Sequence, residues 1–340
     1  MKIQLIHNFE KIISIENLLL AWKEFEKGKR NRKDVQEFSL NIMDNIFSLH
    51  SDLLNHTYKH SGYQAFKIND TKPRDIHKAE AKDRLLHHAI YQIFYPFFDK
   101  TFIFDSYSCR LNKGTHKAVK RLEYYLRKSS QNNTRTCYVL KCDIRKFFAS
   151  IDHNILLNIL AEYIPDKDIL WLLREIIISF NTKPNTGLPL GNLTSQLFVN
   201  IYMNKLDQFM KHKLKTKYYI RYADDFAIID SNQEYLNNLI KSIESFLNTE
   251  LNLNLHPQKT EIRKSSQGID YLGYVLLPHY AILRTKTKKR MFRIIKDNKE
   301  KLSQGLITKD TFNQSLQSYY GIIGHCNGYG LGLEVSDIVK

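Results

Sequence analysis

A pair of aspartates between two apolar runs constrains this 340-residue chain more than any other feature. The segment YYIRYADDFAIID runs from Tyr218 to Asp230, and both of its apolar runs are rich in the residue types that form strands. Asp tolerates the special backbone angles of a tight turn, so the segment predicts a β-hairpin. Asp224 and Asp225 would then cap the hairpin and stand at one edge of a sheet.

A third aspartate ends another strand-like segment. Residues 137–144, CYVLKCDI, are rich in strand formers, and Asp143 closes this run before a turn into a helix. Taken alone, an aspartate pair in a turn is more often a solvated hairpin tip, and an aspartate after a strand is often a helix cap. Their joint occurrence in a basic chain favours a carboxylate site for two divalent cations, which nucleotidyl transfer requires.

The charge balance points to a polyanionic partner. The chain has 51 Lys and Arg against 35 Asp and Glu, a formal net charge of +16, which is typical of nucleic-acid-binding proteins. A basic but unrelated enzyme is the alternative. No apolar run approaches the roughly 20 residues of a membrane span, and the four cysteines lack paired CxxC spacing. We therefore expect a soluble cytoplasmic protein without a membrane partner, a zinc site or a disulfide framework.

Hydrophobic periodicity indicates further helical and strand-like stretches. The stretch 181–196 contains two Pro and two Gly and is predicted to be a loop. The remaining predicted elements are amphipathic helices within 15–54, short strands within 61–76 broken at Asp70 and Pro73, helices over 79–100, 167–180, 197–210 and 234–251, a strand pair around Gly273, and basic helices from Arg284 onwards.

The aspartate segments resemble the reverse transcriptase family. YADD at 222–225 is similar to the signature hairpin of that family, and CDIRKFFASIDH at 142–153 is similar to the partner strand that carries its first metal-binding aspartate. The resemblance implies a cofactor of Mg²⁺, with Mn²⁺ as the other candidate. The metal positions that it implies are Asp143, Ile144, Asp224 and Asp225.

A bulky ring falls where the family has its sugar-sensing aromatic residue. Phe148 lies five residues after Asp143, at the position of the steric gate that excludes a ribose 2′-OH. The resemblance therefore implies a preference for deoxynucleotides. Ordinary core packing is the alternative role for this ring.

Several basic residues match family segments in the same order along the chain. KPRDIH and AKDRLLHHAI resemble the fingers, which makes Lys72 and Arg74 candidates for the incoming triphosphate and Arg84 a candidate for the template backbone. SYSCRLNKGTHKAV resembles the SxxFRPxxSxHxA segment, with Arg110 in the arginine position. LNLHPQKTEI resembles the segment whose lysine, here Lys259, protonates the leaving pyrophosphate. Each basic residue could instead belong to a solvated face.

The resemblance covers roughly residues 60–330 and implies an α+β right-hand polymerase fold. It predicts an N-terminal helical extension over 1–58, fingers over 59–136, an antiparallel-sheet palm over 137–280 that includes the loop 181–196, and a small helical thumb over 281–340. YLGYVL at 271–276 resembles the primer grip, and the basic helices of the thumb would track a duplex through its phosphates.

The loop sequence LGNLTSQ at 190–196 departs from the QGxxxSP of group II intron and retron-like enzymes. Leu190 replaces the glutamine that touches the nucleotide sugar, Gly191 is kept, and Gln196 ends the motif. This form is similar to reverse transcriptases of diversity-generating retroelements, which copy a template-repeat RNA with errors at adenines. Loss of such a polar contact weakens the discrimination between correctly and incorrectly paired nucleotides by about 1–3 kcal/mol. Alternatively, Leu190 simply packs in the loop.

The resemblance implies an RNA-directed DNA polymerase, bacterial or phage-encoded, that uses an RNA template, a DNA or RNA primer and dNTPs. The diversity-generating type, with a small basic accessory protein as partner, is the first interpretation. An antiphage-defence reverse transcriptase making cDNA or untemplated or repetitive DNA is the alternative. A two-metal nuclease would not need Phe148 at the sugar position. A catalytically silent RNA-binding protein is disfavoured because clustered buried acids are costly to retain without metal.

Overall fold

The computed structural model describes residues 3–69 and 73–339. The predicted strand break at Asp70 and the predicted triphosphate contact Lys72 lie outside the described residues. The helices are α1 (Phe9–Ile13), α2 (Ile15–Glu26), α3 (Lys33–Leu40), α4 (Ile42–Leu54), α5 (Ala81–Phe98), α6 (Thr115–Ser129), α7 (Phe147–Ser150), α8 (His153–Ala161), α9 (Lys167–Ile178), α10 (Leu193–Gln208), α11 (Gln233–Leu251), α12 (Thr285–Ser303), α13 (Lys309–Ile323) and α14 (Tyr329–Val339). The strands are β1 (Tyr63–Asn69), β2 (Pro73–Ala79), β3 (Tyr138–Asp143), β4 (Tyr218–Tyr222), β5 (Asp225–Asp230), β6 (Glu261–Lys264), β7 (Ile269–Tyr271), β8 (Tyr274–Leu276) and β9 (Ala281–Leu283).

The amphipathic helices predicted near the N-terminus are confirmed, and they pack against the long helix α5. Leu18, Trp22 and Phe25 of α2 recur at helical spacing and are buried. The buried Asn17 side chain donates to the Ile12 carbonyl at 2.7 Å and to the Ala89 carbonyl at 3.2 Å. These bonds tie α2 to both α1 and α5. No helix in the described part of the chain is long and apolar enough to cross a membrane.

Strands β1 and β2 form a separate two-stranded antiparallel sheet, as the short strand pieces predicted. Phe66 and Ile68 project from it and are about half exposed. The base of this sheet is fixed, because the fully buried Asp83 accepts from the Tyr58 hydroxyl at 2.7 Å and the Ser61 amide at 3.2 Å. The end of the sheet that contains Phe66 and Ile68 is exposed, whereas the segment that leads into β1 is held by these buried hydrogen bonds.

A four-stranded antiparallel sheet in the order β4-β5-β3-β6 lies at the centre of the chain. The predicted hairpin is confirmed as β4 and β5. Its turn consists of Ala223 and Asp224, and the left-handed backbone angle falls at Ala223, with φ +54°, and not at either aspartate. The prediction that Asp supplied the special turn angle was therefore wrong, because Asp225 is already the first residue of β5.

The four-stranded sheet separates two hydrophobic cores. Successive side chains of a strand point to opposite faces, so Leu140 and Cys142 of β3 join the core that contains the N-terminal helices. Val139 joins the second core, which contains the sheet β7-β8-β9 and helices α12–α14. The predicted strand pair around Gly273 is confirmed as β7 and β8, and β9 is a third strand in that sheet.

Candidate active site

The sheet brings the three predicted carboxylates to one edge. Asp143 ends β3 and is the register partner of Asp225, while Asp224 occupies the adjoining turn. The Ile144 amide donates to the Asp224 carbonyl at 3.3 Å, and the His256 amide donates to the Asp143 carbonyl at 2.7 Å. Backbone hydrogen bonds therefore fix the end of β3 against the turn of the neighbouring hairpin.

The electrostatics of these carboxylates reflect burial and mutual repulsion. Burial raises the pKa of Asp225 to about 7, and the Asp143 and Asp224 carboxylates add to this rise while Lys141 and Lys259 oppose it. Burial and the Asp143 charge likewise raise the pKa of Asp224. Burial and the neighbouring carboxylates therefore favour the protonated forms of Asp224 and Asp225 in the metal-free protein.

The donor set fits a hard divalent cation in its chemistry, because all three side chains offer carboxylate oxygens. Asp225 Oδ1 is buried and has no hydrogen-bond partner in the described structure. Asp143 Oδ2, in contrast, accepts from the Lys259 ammonium at 2.6 Å. Among residues 3–69 and 73–339, no group of three or more His, Cys, Asp and Glu side chains has a geometry that could hold a metal ion.

A basic cleft of about 960 Å³ opens over Asp143 and Asp225, at the large end of the range for ligand sites. Several parts of the chain form its walls, including the central sheet, strand β2 and helix α12. The central sheet supplies Asp143, Asp225 and Lys141, and β2 supplies Arg74, whose charge partly opposes the rise in the pKa of the Asp224 carboxyl. Helix α12 supplies the opposite wall with Lys286, Lys289, Arg290 and Arg293. The cleft can therefore receive a polyanion beside the acidic edge.

Two predicted basic residues are thus brought to the site. Arg74 is exposed and lines the cleft, and Lys259 lines it while bonded to Asp143. Arg84 is not brought there, because its guanidinium pairs with Asp34 of α3 and stacks on the Phe25 ring at 4.8 Å.

Arg110 is also held away from the cleft. Its side chain is only 7% exposed, and it donates to the Asp99 carboxylate at 2.6 Å and to the Ile103 and Ser106 carbonyls at 2.7 and 3.0 Å. These bonds fold the segment after α5 onto itself. The roles proposed for Arg84 and Arg110 in contacting substrate or template therefore gain no support from their positions.

The predicted loop around Leu190 is bonded to β2, the strand that carries Arg74. The His77 amide donates to the Leu190 carbonyl at 3.0 Å, and the Asn192 side chain donates to the His77 carbonyl at 3.1 Å. Gly191 has φ +105°, and a Cβ there would lie 2.8 Å from Ile76 Cγ2, so glycine is required for this approach.

Phe148 and Gln196 were also predicted to contact the nucleotide, and both lie outside the described lining of the cleft. Phe148 is partly buried in α7, packs edge-on against Phe147 at 5.6 Å and is absent from the described lining of the cleft. The predicted loop 181–196 was too long, because α10 already begins at Leu193. Gln196 therefore lies in the first turn of that helix, partly buried, and its carbonyl accepts from the Asn200 side chain at 3.3 Å.

Sequence reasoning missed two cations beside the carboxylates. Lys141 lies two residues before Asp143, and the alternation of a strand could have placed both on the same face. Arg221 lies in an apolar strand and is fully buried beneath the hairpin turn. An arginine inside an apolar run was the only signal of that burial.

The chain is similar in sequence to known proteins over most of its length. A model of the family "Reverse transcriptase (RNA-dependent DNA polymerase)" matches residues 61–276. The chain is 22% identical to the putative COX1/OXI3 intron 2 protein of Saccharomyces cerevisiae, over 83% of this chain and 39% of that protein. It is 23% identical to protein YkfC of Escherichia coli, over 58% of this chain and 61% of YkfC.

A third relative is the group II intron-encoded protein LtrA of Lactococcus lactis, 23% identical over 68% of this chain and 48% of LtrA. The chain thus spans only part of each relative, from 39% to 61% of its length. The carboxylate hairpin and the neighbouring strand both lie inside the matched region. The chain belongs to the reverse transcriptase family.

Proposed function

We propose that this chain is an RNA-directed DNA polymerase that copies an RNA template into cDNA by two-metal nucleotidyl transfer. The observation that carries the proposal is the register pairing of Asp143 with Asp225 next to the Asp224 turn, under a cleft walled by cations. The family match over residues 61–276 supports the same activity. The substrates would be dNTPs, a primer and an RNA template.

Each residue of the site has a defined task in this reaction. Asp143, Asp224 and Asp225 would hold Mg²⁺ or Mn²⁺, which activates the attacking oxygen and neutralises the leaving pyrophosphate. Arg74 would bind the triphosphate at the mouth of the cleft. Lys259, now bonded to Asp143, would release its contact and donate a proton to the pyrophosphate.

The division into a right hand belongs to the same proposal. Strands β1 and β2 with α5 and α6 would form the fingers, the four-stranded sheet with α7–α11 the palm, and helices α12–α14 the thumb. In this arrangement the thumb cations of α12 would contact the phosphates of the template–primer duplex. Ile144 would contribute through its backbone, because its side chain is buried in the core.

The primary test is primer extension by purified protein on an RNA template with Mg²⁺ and all four dNTPs. Asp224→Asn should abolish extension, because it removes a carboxylate at the site. Asp230→Asn is the matched control, since it makes the same change at the opposite end of β5, where the carboxylate accepts from the Asn232 amide. If the Asp224→Asn protein extends primers as well as the Asp230→Asn protein does, the proposal is contradicted.

A narrower proposal concerns the type of reverse transcriptase. Leu190 in place of a sugar-contacting glutamine supports the diversity-generating type, with a small basic accessory protein as partner and errors concentrated at template adenines. Sequencing the cDNA tests this, because errors should cluster opposite adenine. Accurate, repetitive or untemplated product would instead favour the antiphage-defence alternative.

A further inference from the structure

A buried arginine lies beneath the turn that carries Asp224. Arg221 is the fourth residue of β4, and its side chain is fully buried. All five guanidinium N–H groups have an acceptor. They donate to Asp207 Oδ1 at 2.8 Å, Asp207 Oδ2 at 2.6 Å, the Ser106 hydroxyl at 3.1 Å, the Asn200 side-chain oxygen at 3.3 Å and the Ala223 carbonyl at 3.0 Å.

The Ala223 carbonyl distinguishes this cluster from an ordinary buried ion pair. Ala223 has φ +54°, a conformation that is disfavoured for any residue with a Cβ. Its carbonyl belongs to the peptide unit that leads into Asp224. The next carbonyl, that of Asp224 itself, accepts from the Ile144 amide at 3.3 Å. Both peptide units that flank Asp224 are therefore held, one by Arg221 and one by the end of β3.

Stability alone does not require this arginine. Burying two charges has a large desolvation cost, and apolar replacements of a buried ion pair are often equally stable. Asp207 orients the guanidinium through two hydrogen bonds and also accepts from the Tyr219 hydroxyl at 2.7 Å. The network therefore fixes the orientation of Arg221 Nη1, which donates to the Ala223 carbonyl in the turn.

We propose that Arg221 is a positioning residue that holds the Ala223–Asp224 peptide in its left-handed turn and thereby positions the Asp224 and Asp225 carboxylates at the sheet edge beside Asp143. The consequence for catalysis rests on the proposed function, whereas the effects on the turn and on cation binding do not. A variant without this contact keeps the carboxylates but allows the turn to relax.

The test replaces the whole ion pair, so that no buried charge is left unpaired. In Arg221→Met with Asp207→Leu, hydrogen exchange of the Asp224 and Asp225 amides should accelerate at least tenfold, while amides of 226–229 stay protected. Binding of Mn²⁺ alone, followed by electron paramagnetic resonance, should weaken at least tenfold. In primer extension kcat should fall, and KM for dNTP should change less than threefold.

Tyr219→Phe is the matched control. It removes a buried hydrogen bond to the same Asp207 oxygen but leaves the contact of Arg221 with Ala223 in place. It should lower the melting temperature without changing the exchange of the turn or Mn²⁺ affinity. Adding Ala223→Gly to the double variant should restore part of the Mn²⁺ affinity, because glycine adopts positive φ without steric cost.

Two outcomes separate the proposals from each other. Unchanged turn exchange and Mn²⁺ affinity in the double variant would overturn the positioning role, even if its melting temperature falls. If the wild-type protein extends no primer but the double variant still loses Mn²⁺ affinity, the positioning role stands and the polymerase proposal fails. Should the double variant not fold, Arg221→Lys gives the same measurements, because it keeps the charge but lacks the planar fork.

Discussion

The Asp225 carboxylate combines a buried, unpartnered oxygen with a pKa of about 7. The folded protein therefore holds this proton more tightly than the unfolded chain, whose carboxyl titrates near 3.8. It follows that the contribution of Asp225 to the stability of the metal-free protein falls as pH rises from about 4 to about 7. We predict that Asp225→Asn raises the free energy of unfolding of EDTA-treated protein by about 1–3 kcal/mol at pH 8 and leaves it unchanged at pH 3. Denaturant unfolding at both pH values measures the difference.

Asp230→Asn is the control for that measurement, because Asp230 lies at the other end of the same strand. Addition of Mg²⁺ should stabilise the wild-type protein more than Asp225→Asn, since the cation relieves the same repulsion. A gain of equal size in Asp230→Asn, or at pH 3, would rule out burial of the Asp225 charge as its origin.

Leu190 gives a second prediction for a single residue. Its carbonyl is fixed by the His77 amide, so Leu190→Gln changes the side chain without releasing the loop. If the missing polar contact lowers fidelity, Leu190→Gln should reduce misincorporation opposite template adenine by about tenfold, which corresponds to about 1.4 kcal/mol. Deep sequencing of cDNA measures the error rate. Leu193 is a similarly exposed neighbour, and Leu193→Gln should leave the error rate unchanged. Equal error rates in the wild type and both variants would mean that residues other than Leu190 determine fidelity.

Residue-level prediction from sequence succeeded for groups fixed by local geometry and was less informative for long side chains. The placement of Asp143, Asp224 and Asp225 at one sheet edge was predicted, because strand ends and hairpin turns fix the position of short side chains. Arg84 and Arg110 have the right positions along the chain, but their flexible side chains turn toward Asp34 and Asp99. The acidic residue with which an arginine forms an ion pair depends on tertiary contacts, which the sequence does not reveal.

At the scale of elements, the root of the β1-β2 sheet depends on one buried acid. Asp83 is fully buried and accepts from the Tyr58 hydroxyl and the Ser61 amide. We predict that Asp83→Ala lowers the free energy of unfolding by about 2–4 kcal/mol, because both donors lose their buried acceptor. Denaturant unfolding and hydrogen exchange of 63–68 would measure global stability and loosening of the sheet.

Asp52→Ala is the matched control for the Asp83 prediction. Asp52 pairs with Lys82 at 2.8 Å near the surface, where both side chains are about one third exposed. An exposed pair of this kind contributes less than about 1 kcal/mol. Similar losses in the two variants would mean that burial of Asp83 is not what makes it important.

The elements themselves were largely predictable because hydrophobic period differs between helices and strands. The long helices α5 and α11 and the hairpin of β4 and β5 follow the predicted segments, whereas α10 begins four residues earlier than predicted. The three-residue strand β9 is too short to show a period, and it forms only because it pairs with β8. The left-handed backbone at Ala223 was not predicted, because hydrophobic period carries no information about the geometry of a two-residue turn between paired strands.

At the scale of the whole molecule, one helix supplies the cationic wall of the cleft. Lys289 and Arg293 are exposed, lie four residues apart on α12 and line the cleft. If this wall contacts two phosphates, Lys289→Ala with Arg293→Ala should reduce the slope of log affinity for an RNA–DNA duplex against log salt by about 2. Fluorescence anisotropy across a salt series measures the slope.

Lys296→Ala with Lys301→Ala is the control pair. Both lysines lie on the same helix but outside the described lining of the cleft, so the net charge changes equally without loss of a cleft contact. An equal reduction of the slope in the control pair would show that the overall charge of the protein, and not this wall, attracts the duplex.

The strand order β4-β5-β3-β6 has a consequence for biosynthesis. Strand β3 is translated first, yet both of its neighbours in the sheet, β5 and β6, emerge only after helices α7–α10. At about 5–20 residues per second, β3 waits on the order of several seconds with two unpaired edges on the nascent chain. The strand that ends in Asp143 can therefore pair with wrong partners during this interval, and slower translation of α7–α10 would lengthen it.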